Sequence, residues 1–445
     1  VADLLPVEAA LERVLAAIPG PLPSERVPVV DALGRVLAAP VVAVTDLPPW
    51  DNSAMDGYAV RAADLAGATE DDPVRLVVAG EVAAGAAPDR AVPAGRAIRI
   101  ATGAPLPPGA DAVVPVELTT PIDEAGAAGP RGHDGAAPPP FAILAHLSLP
   151  AEANVRPRGS DLRAGTAVLG PGSAIGPAEV ALATGAGVPT TVVHRRPRVA
   201  VISTGDELRP AGTELGPAGI PDANGPALVA LALAAGAHAR HVGIARDDLA
   251  AVTGALREAL ADADAVIVSG GVSVGPYDVV RPAFEAVGRV DLWRVAVQPG
   301  KPFAFGVAPR PTGADTAAPI LLLGLPGNPV SVFVTFELFV RPALRRLAGR
   351  PDHDLRRPTD RGVLEEPVTK SRGRRAYLRV VARRDGPGGP PLRDAEGRVR
   401  VALAGGQGSH VISALAAADA LAIVPESVDG LPAGAAVELW WLDRP

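Results

Sequence analysis

No cysteine occurs among the 445 residues, which excludes disulfides and thiolate metal ligands. Any metal must therefore sit on oxygen or imidazole. Histidine is scarce, at seven, and no pair has zinc-like spacing on a helix. The 49 Asp and Glu residues favour Mg2+ over zinc. Aromatics make up only 3% of the chain, so its cores must be built largely from aliphatic side chains and alanine. No run of about eighteen apolar residues free of charge and proline appears, which argues against a membrane-spanning helix. The first residues, Val-Ala-Asp-Leu-Leu, carry neither a basic region nor an apolar signal segment, so a cytoplasmic protein is expected. The net charge of −7 argues against nucleic acid as a partner. Residues 341–384 are locally basic, with Arg372, Arg374 and Arg375 forming either a solvated face or an attraction for an anionic ligand.

What is present is 48% apolar residues and 49 each of Gly and Pro without periodicity. That excludes collagen and predicts many turns. The length predicts about two to four domains. Residues 7–18 place Val7, Leu11, Val14, Leu15 and Ile18 on one helical face and end at Pro19-Gly20. Residues 27–30 and 41–44 read as strands around a short helix at 32–38. Between 46 and 116, short apolar runs at 76–78, 97–100 and 112–116 alternate with turns, as in a small β domain. Residues 121–150 are rich in Ala, Gly and Pro and read as an extended hairpin or loop, partly disordered.

The pattern changes at 198. Apolar runs at 198–203, 239–245, 265–269, 290–297 and 320–323 alternate with helical patterns. One of these patterns, 248–263, aligns Leu249, Val252, Leu256, Leu260 and Ala263 on one face. This alternation predicts a mostly parallel three-layer α/β sheet domain, with ligands bound beyond the carboxyl ends of its strands. The loops at those ends include Thr204, Gly205, Asp206 and Glu207. A second contains Ser269, Gly270, Gly271 and Ser273, and a third Pro326, Gly327, Asn328 and Ser331. After 349, runs at 376–381, 398–401, 420–424 and 436–441 predict a C-terminal β-barrel.

Several of these residues carry chemistry. Asn328 suits a helix N-cap and Pro329 the first helical position, which turns backbone N–H groups toward an anion. Simple capping is the alternative. The Gly/Ser loop 269–275 can bring backbone donors to a phosphate. Asp278 then either ligates a bridging metal or caps the next helix, and Asp247 reads first as a cap and second as a substrate contact. Glu207 can ligate a metal or hold a ring N–H. Lys301, between glycine and proline, offers a fixed ammonium for a small oxyanion, against the commoner fate of a solvent lysine. Residues 48–60 (PPWDNSAMDGYAV) mix Trp50, Met55 and Tyr58 with Asp51, Asn52 and Asp56. They read equally as a turn and as polar groups held by packing.

Residues 48–60 resemble the signature of the MoeA family of molybdopterin molybdenumtransferases, which includes the gephyrin E domain. The resemblance continues through 99–105 (RIATGAP), 154–161 (NVRPRGSD), 203–208 (STGDEL), 269–275 (SGGVSVG), 299–305 (PGKPFAF), 324–331 (GLPGNPVS) and 408–410 (GSH), in the family's order. It implies four parts. An α/β molybdopterin-binding domain would span 1–20 and 197–348, and an elongated linker domain 21–45 and 151–196. A small β domain would span 46–150 and a β-barrel 349–445. It also implies a homodimer whose cleft lies between subunits, so that Asp56 completes a neighbour's cleft.

The implied activity is Mg2+-assisted insertion of molybdate into adenylyl-molybdopterin with release of AMP. A molybdopterin adenylyltransferase would be the upstream partner. Carried over by position, Asp56, Thr102, Asp161, Glu207, Asp247, Asp278 and Ser409 match positions tied to activity, with Asp56, Glu207 and Asp278 as Mg2+ ligands. Lys301, Ser331, Ser409 and Arg375 would form the molybdate site. Thr102, Thr204, Gly205, Ser269, Gly270, Gly271, Ser273, Pro326, Gly327 and Asn328 would hold the pterin cofactor. The chain departs from relatives at Arg294 and Gln298, where they carry lysines; Gln298 loses a charge. Alternatives are the preceding adenylyl transfer, a scaffold for partner peptides, and a tungstate-specific homologue.

Overall fold

The computed structural model describes residues 4–132, 138–272, 279–316, 318–386 and 388–442. Its centre is a six-stranded sheet. The strands in chain order are β1 (Arg198–Thr204), β2 (His238–Ala245), β3 (Ala265–Ser269), β4 (Arg289–Arg294), β5 (Pro302–Ala308) and β6 (Ile320–Leu325), and they lie side by side as β2-β1-β3-β6-β5-β4. The first four in that order are parallel, β5 runs antiparallel to β6, and β4 antiparallel to β5.

Alternate side chains of β1, β3 and β6 enter two cores. Val199, Val201, Ile267 and Leu323 face helices α1 (Val7–Ala16), α2 (Asn224–Ala234), α5 (Pro329–Thr335) and α6 (Arg341–Leu347). Ala200, Ile202, Val268 and Leu322 face α3 (Leu249–Ala259) and α4 (Val280–Glu285). Helices on both faces bury both sides of each strand, which is why the runs read as continuous apolar stretches. The expected three-layer α/β arrangement is present. Asp248 caps α3 by accepting the Ala251 N–H at 2.8 Å, and Val252, Leu256 and Ala259 form its buried face. Leu249, assigned to that face from spacing, is 47% exposed because it sits in the first turn, outside the core stripe.

A second six-stranded sheet runs in the order Ala112–Pro115, Gly57–Val60, Arg96–Ile100, Val74–Val82, Ala142–Ala145 and Thr119–Ile122. The last two strands form the antiparallel hairpin expected within 121–150. Between this sheet and the α/β sheet, the chain goes out and returns as two-stranded ladders. Ser24–Pro28 pairs with Thr190–His194, and Val41–Val42 with Ala167–Leu169. The helix expected at 32–38 does not form. A 3-10 turn covers Val29–Ala32, and Val36 and Leu37 bridge to Ala174 and Val193. Pairing with a distant strand overrides local helix propensity here.

The C-terminal strands Thr359–Leu364, Arg375–Ala382, Val399–Leu403, Ala420–Val424 and Ala436–Trp441 pair in a closed ring, giving the expected β-barrel. Closure leaves no free edge. Strands Pro302–Ala308 and Thr359–Leu364 were not anticipated from the sequence.

A buried charge cluster ties the ladders to the sheet. Asp264, just before β3, accepts two hydrogen bonds from the Arg195 guanidinium at 2.6 and 2.9 Å. It also accepts one from Arg310 at 2.7 Å and one from the Arg198 N–H at 2.8 Å. Burial opposes ionisation, but the Arg195 hydrogen bonds and the Arg198 N–H outweigh it and hold the carboxyl below its ordinary 3.8. A depressed carboxyl contributes stability that is complete above its unfolded value and fades as pH falls through the folded one. Asp264→Asn is expected to cost about 3–5 kcal/mol in urea unfolding at pH 7, because Arg310 and Arg195 lose a shared buried carboxylate and Arg195 keeps only the half-exposed Asp315. The deficit relative to wild type should shrink only below about pH 4. Equal stability of the two proteins at pH 7 would contradict this role.

Candidate functional site

Strands β1, β3 and β6 end in register, with Ser203 beside Ser269 and Ser269 beside Leu325. Their loops therefore emerge at one rim and enclose a cleft of about 580 Å³. Of the residues expected there, Thr204, Glu207, Asp247, Ser269, Gly270, Gly271, Gly327 and Asn328 all line it. Pro326 is buried beneath the β6 loop. Gly205 lines an adjoining cavity of about 800 Å³, which shares Leu208 and Asp222 with the cleft. Ser273 and Asp278 lie outside the described residues.

Close approach of the loops requires glycine. At Gly270, φ is +98° and a Cβ would stand 2.3 Å from the Thr204 carbonyl oxygen. The acids sort differently from the sequence expectation. Asp248, not Asp247, caps α3, which frees Asp247 to face the cleft and accept the Thr204 hydroxyl. The Glu207 carboxylate folds back over Gly205.

Sequence reading missed three lining residues. Asn224 starts α2 and donates to the Ser269 hydroxyl oxygen at 2.9 Å and the Gly327 carbonyl at 2.7 Å. Asp222, 5% exposed, accepts the N–H groups of Asn224 and Gly225 at 3.0 Å each. The Asp-x-Asn spacing ahead of an apolar helix was the available signal. His410 comes from the barrel, so the cleft is walled by two folding units.

The first turn of α5 meets the barrel directly. Asn328 occupies its N-cap with Pro329 behind it, although the Asn328 side chain makes no capping bond. The Val330 N–H, expected to point at an anion, donates instead to the Ser409 carbonyl at 3.0 Å. Ser331 is 4% exposed in that turn. Lys301 precedes β5, whose start lies beside the carboxyl end of β6, so it belongs to the same rim. The neighbouring Gly300 sits 3.5 Å, at its would-be Cβ, from the Ser331 carbonyl. The backbone segments that carry Lys301, Ser331 and Ser409 thus adjoin one another.

Arg375 is not with them. Its guanidinium is held by Glu426 at 3.0 Å and by Glu8, on a separate cavity between α1 and the barrel. Burial opposes the arginine's charge, but these carboxylates outweigh it and push its pKa up. A cation so committed is unsuited to a second anion. Arg379, on the same strand, lies against the loop that carries Ser409. It is fully buried, and it donates to the Gly406 and Gly408 carbonyls at 3.0 and 3.1 Å, so the loop carrying Ser409 folds around it. Its Nε has no hydrogen-bond partner among the described residues. Gln298 accepts the Ser371 N–H at 3.3 Å and has become a structural tie to the barrel.

Asp56 and Thr102 form a second locus, on the small β domain. Asp56 accepts both the Thr102 N–H at 2.7 Å and its hydroxyl at 2.9 Å. These bonds, backbone first, hold the Asp56 carboxyl below 3.8. No residue of this locus lines the rim cleft. Asp161 is exposed in a nearby loop, its N–H bonded to the Leu47 carbonyl. The 48–60 segment also inverts expectation. Asn52 and Ser53 are buried, at 6% and 0%, whereas Trp50 and Met55 are 46% and 39% exposed. Tyr58 packs inward with Ala59 and Val60. Thr102→Val is expected to raise the Asp56 carboxyl toward 3.8 in an NMR titration; an unchanged value would remove the hydroxyl from that account.

The profile of the MoeA N-terminal region (domain I and II) matches residues 5–187. That of the probable molybdopterin binding domain matches 200–346, and that of the MoeA C-terminal region (domain IV) 361–442. Molybdopterin molybdenumtransferase 2 of Mycobacterium tuberculosis is 38% identical over 93% of this chain and 94% of its own. The molybdopterin molybdenumtransferase of Haemophilus influenzae is 31% identical over 98% of each. A crystal structure of the molybdopterin biosynthesis moeA protein from Pyrococcus horikoshii superposes with a TM-score of 0.76 at 27% identity, covering 99% of this chain and 100% of that one. A second molybdopterin biosynthesis moeA structure from the same organism gives 0.75 at 32% identity over 99% of each. These matches run from end to end of the described fold, and the chain belongs to the MoeA family of molybdopterin molybdenumtransferases.

Proposed function

We propose that this transferase of molybdenum cofactor biosynthesis takes adenylyl-molybdopterin and molybdate, inserts molybdenum and releases AMP. One observation carries the reading. The three small-residue rim loops, three acids and a loop of the barrel converge on a single cleft. Backbone groups at Gly270 and Gly271 suit a phosphate, which glycine lets approach closely. Lys301, Ser331 and Ser409 supply a cation and hydroxyls to a dianion such as molybdate, and Arg379 holds the loop that carries Ser409.

Among the described residues no group of three or more His, Asp or Glu could hold a metal ion by itself. Mg2+ characteristically uses only one or two carboxylates and completes its shell with water and substrate phosphate. Glu207 and Asp247, facing one cleft, fit that requirement. Bound there, Mg2+ would neutralise charge on the phosphoanhydride. Asp247 also orients Thr204, whose hydroxyl it receives.

Asp56 and Thr102 complete the site from a second copy of the chain in this reading, as a homodimer. The exposed side chains of Trp50 and Met55, at 46% and 39%, support it, because apolar surface beside a polar locus suits burial by a partner. A pterin adenylyltransferase supplies the substrate, and the reaction is cytoplasmic. No helix among the described residues is long and apolar enough to cross a membrane.

Purified protein given adenylyl-molybdopterin, Mg2+ and molybdate should release AMP; no release would reject the proposal. Asp56→Ala and Asp247→Ala should each lower release by about a hundredfold or more. Mixing the two variants should restore about a quarter of wild-type activity, since half the dimers then hold one intact site of two. No recovery on mixing would place both residues in one subunit's site.

A further inference from the structure

We infer that Asn224 reads the pterin, through its side-chain carbonyl oxygen, and so fixes which end of the substrate lies at this end of the cleft. The inference rests on the molybdopterin reading above. An Asn side chain can be placed either way round, and its neighbours decide. Here one amide atom lies 2.7 Å from the Gly327 carbonyl, which only accepts hydrogen bonds, so that atom is the nitrogen. Its second hydrogen goes to the Ser269 hydroxyl oxygen at 2.9 Å. Both donors are then used. The carbonyl oxygen of Asn224 receives no hydrogen bond among the described residues, and the residue lines the cleft.

The residue cannot easily swing away. Asp222 holds its backbone through two N–H bonds. The other oxygen of Asp222 accepts the Ser203 hydroxyl at 2.6 Å, and His241 Nε2 lies 3.5 Å from it. With the Ser203 hydrogen given to Asp222, His241 Nε2 at 3.2 Å must be the donor in its contact with Ser203. A Cβ at Gly225 would stand 2.5 Å from that same Nε2 and 2.6 Å from Asp222, so the seat is closely packed.

A fixed acceptor repels phosphate and molybdate oxygens and attracts N–H groups. Of the substrate's parts, the pterin ring offers adjacent N–H donors through its ring amide and amino group, whereas the adenine amino group is flanked by acceptor nitrogens. Asn224 therefore holds the pterin end, and the phosphates extend toward Gly270 and Gly271.

Two variants separate this from a merely structural tie between loops. Asn224→Ala removes tie and acceptor together. Asn224→Asp removes the tie but keeps an acceptor oxygen. Anaerobic titration with molybdopterin, followed by its fluorescence, should show Asn224→Ala weakened about tenfold and Asn224→Asp within about threefold of wild type. KM for adenylyl-molybdopterin should follow the same order, with kcat changed less. If both variants weaken equally, if Asn224→Asp weakens more, or if Asn224→Ala binds normally, the inference is overturned. Should Asn224→Ala fail to fold by thermal unfolding, Asn224→Asp decides alone, by holding within threefold or not. A wild type that turns substrate over while Asn224→Ala binds normally rejects only the role of Asn224. A wild type that binds no molybdopterin rejects the function and this role with it.

Discussion

The site depends on the register of β1, β3 and β6, which brings three loop-forming strand ends to one level. Parallel strands buried on both faces cannot slip by one residue without exchanging their two cores, so the register is firmly specified. Given that level, the loops approach one another so closely that side chains are excluded, as Gly270 against the Thr204 carbonyl illustrates. Asn224 then ties two of the loops with one amide group. The cleft is thus pre-shaped by backbone geometry, and few polar side chains are left to select the ligand.

The barrel takes part in this arrangement. Ser409 meets the first turn of α5, and Arg379 organises the loop that delivers it. A fully buried arginine without a carboxylate partner is costly, and burial lowers its pKa from the ordinary arginine value. Among the described residues its acceptors are carbonyl oxygens, which stabilise the cation without cancelling its charge. Arg375, by contrast, has two carboxylates and makes a structural link to α1 instead.

Much of this was legible in the chain. The apolar run 265–269 is a strand over those same residues, and the α/β alternation placed the rim loops correctly. The features that were not legible depend on distant partners. Nothing local distinguishes Asp247 from Asp248 as the cap, since both precede α3, and only the Thr204 hydroxyl settles it. Likewise Arg375 and Arg379 lie on one strand, and only the carboxylates of Glu8 and Glu426 show which is committed. The 3-10 turn at Val29–Ala32 replaced an expected helix because its neighbours pair with strand residues far along the chain. The exposure of Trp50 and Met55 could not be read from composition, which suggests packing for both.

The physical separation of Asp56 from the rim cleft gives the proposal its shape. In the proposed dimer this acid, held ionised by Thr102 beside the exposed Trp50 and Met55, completes the cleft of a second copy. The most direct measurement is a crystal structure with adenylyl-molybdopterin bound. The account predicts the substrate in the Thr204–Gly270–Gly327 cleft of one subunit, with Asp56 of the second copy beside it. Substrate bound away from that cleft, or Asp56 remote from it in both copies, would contradict the account.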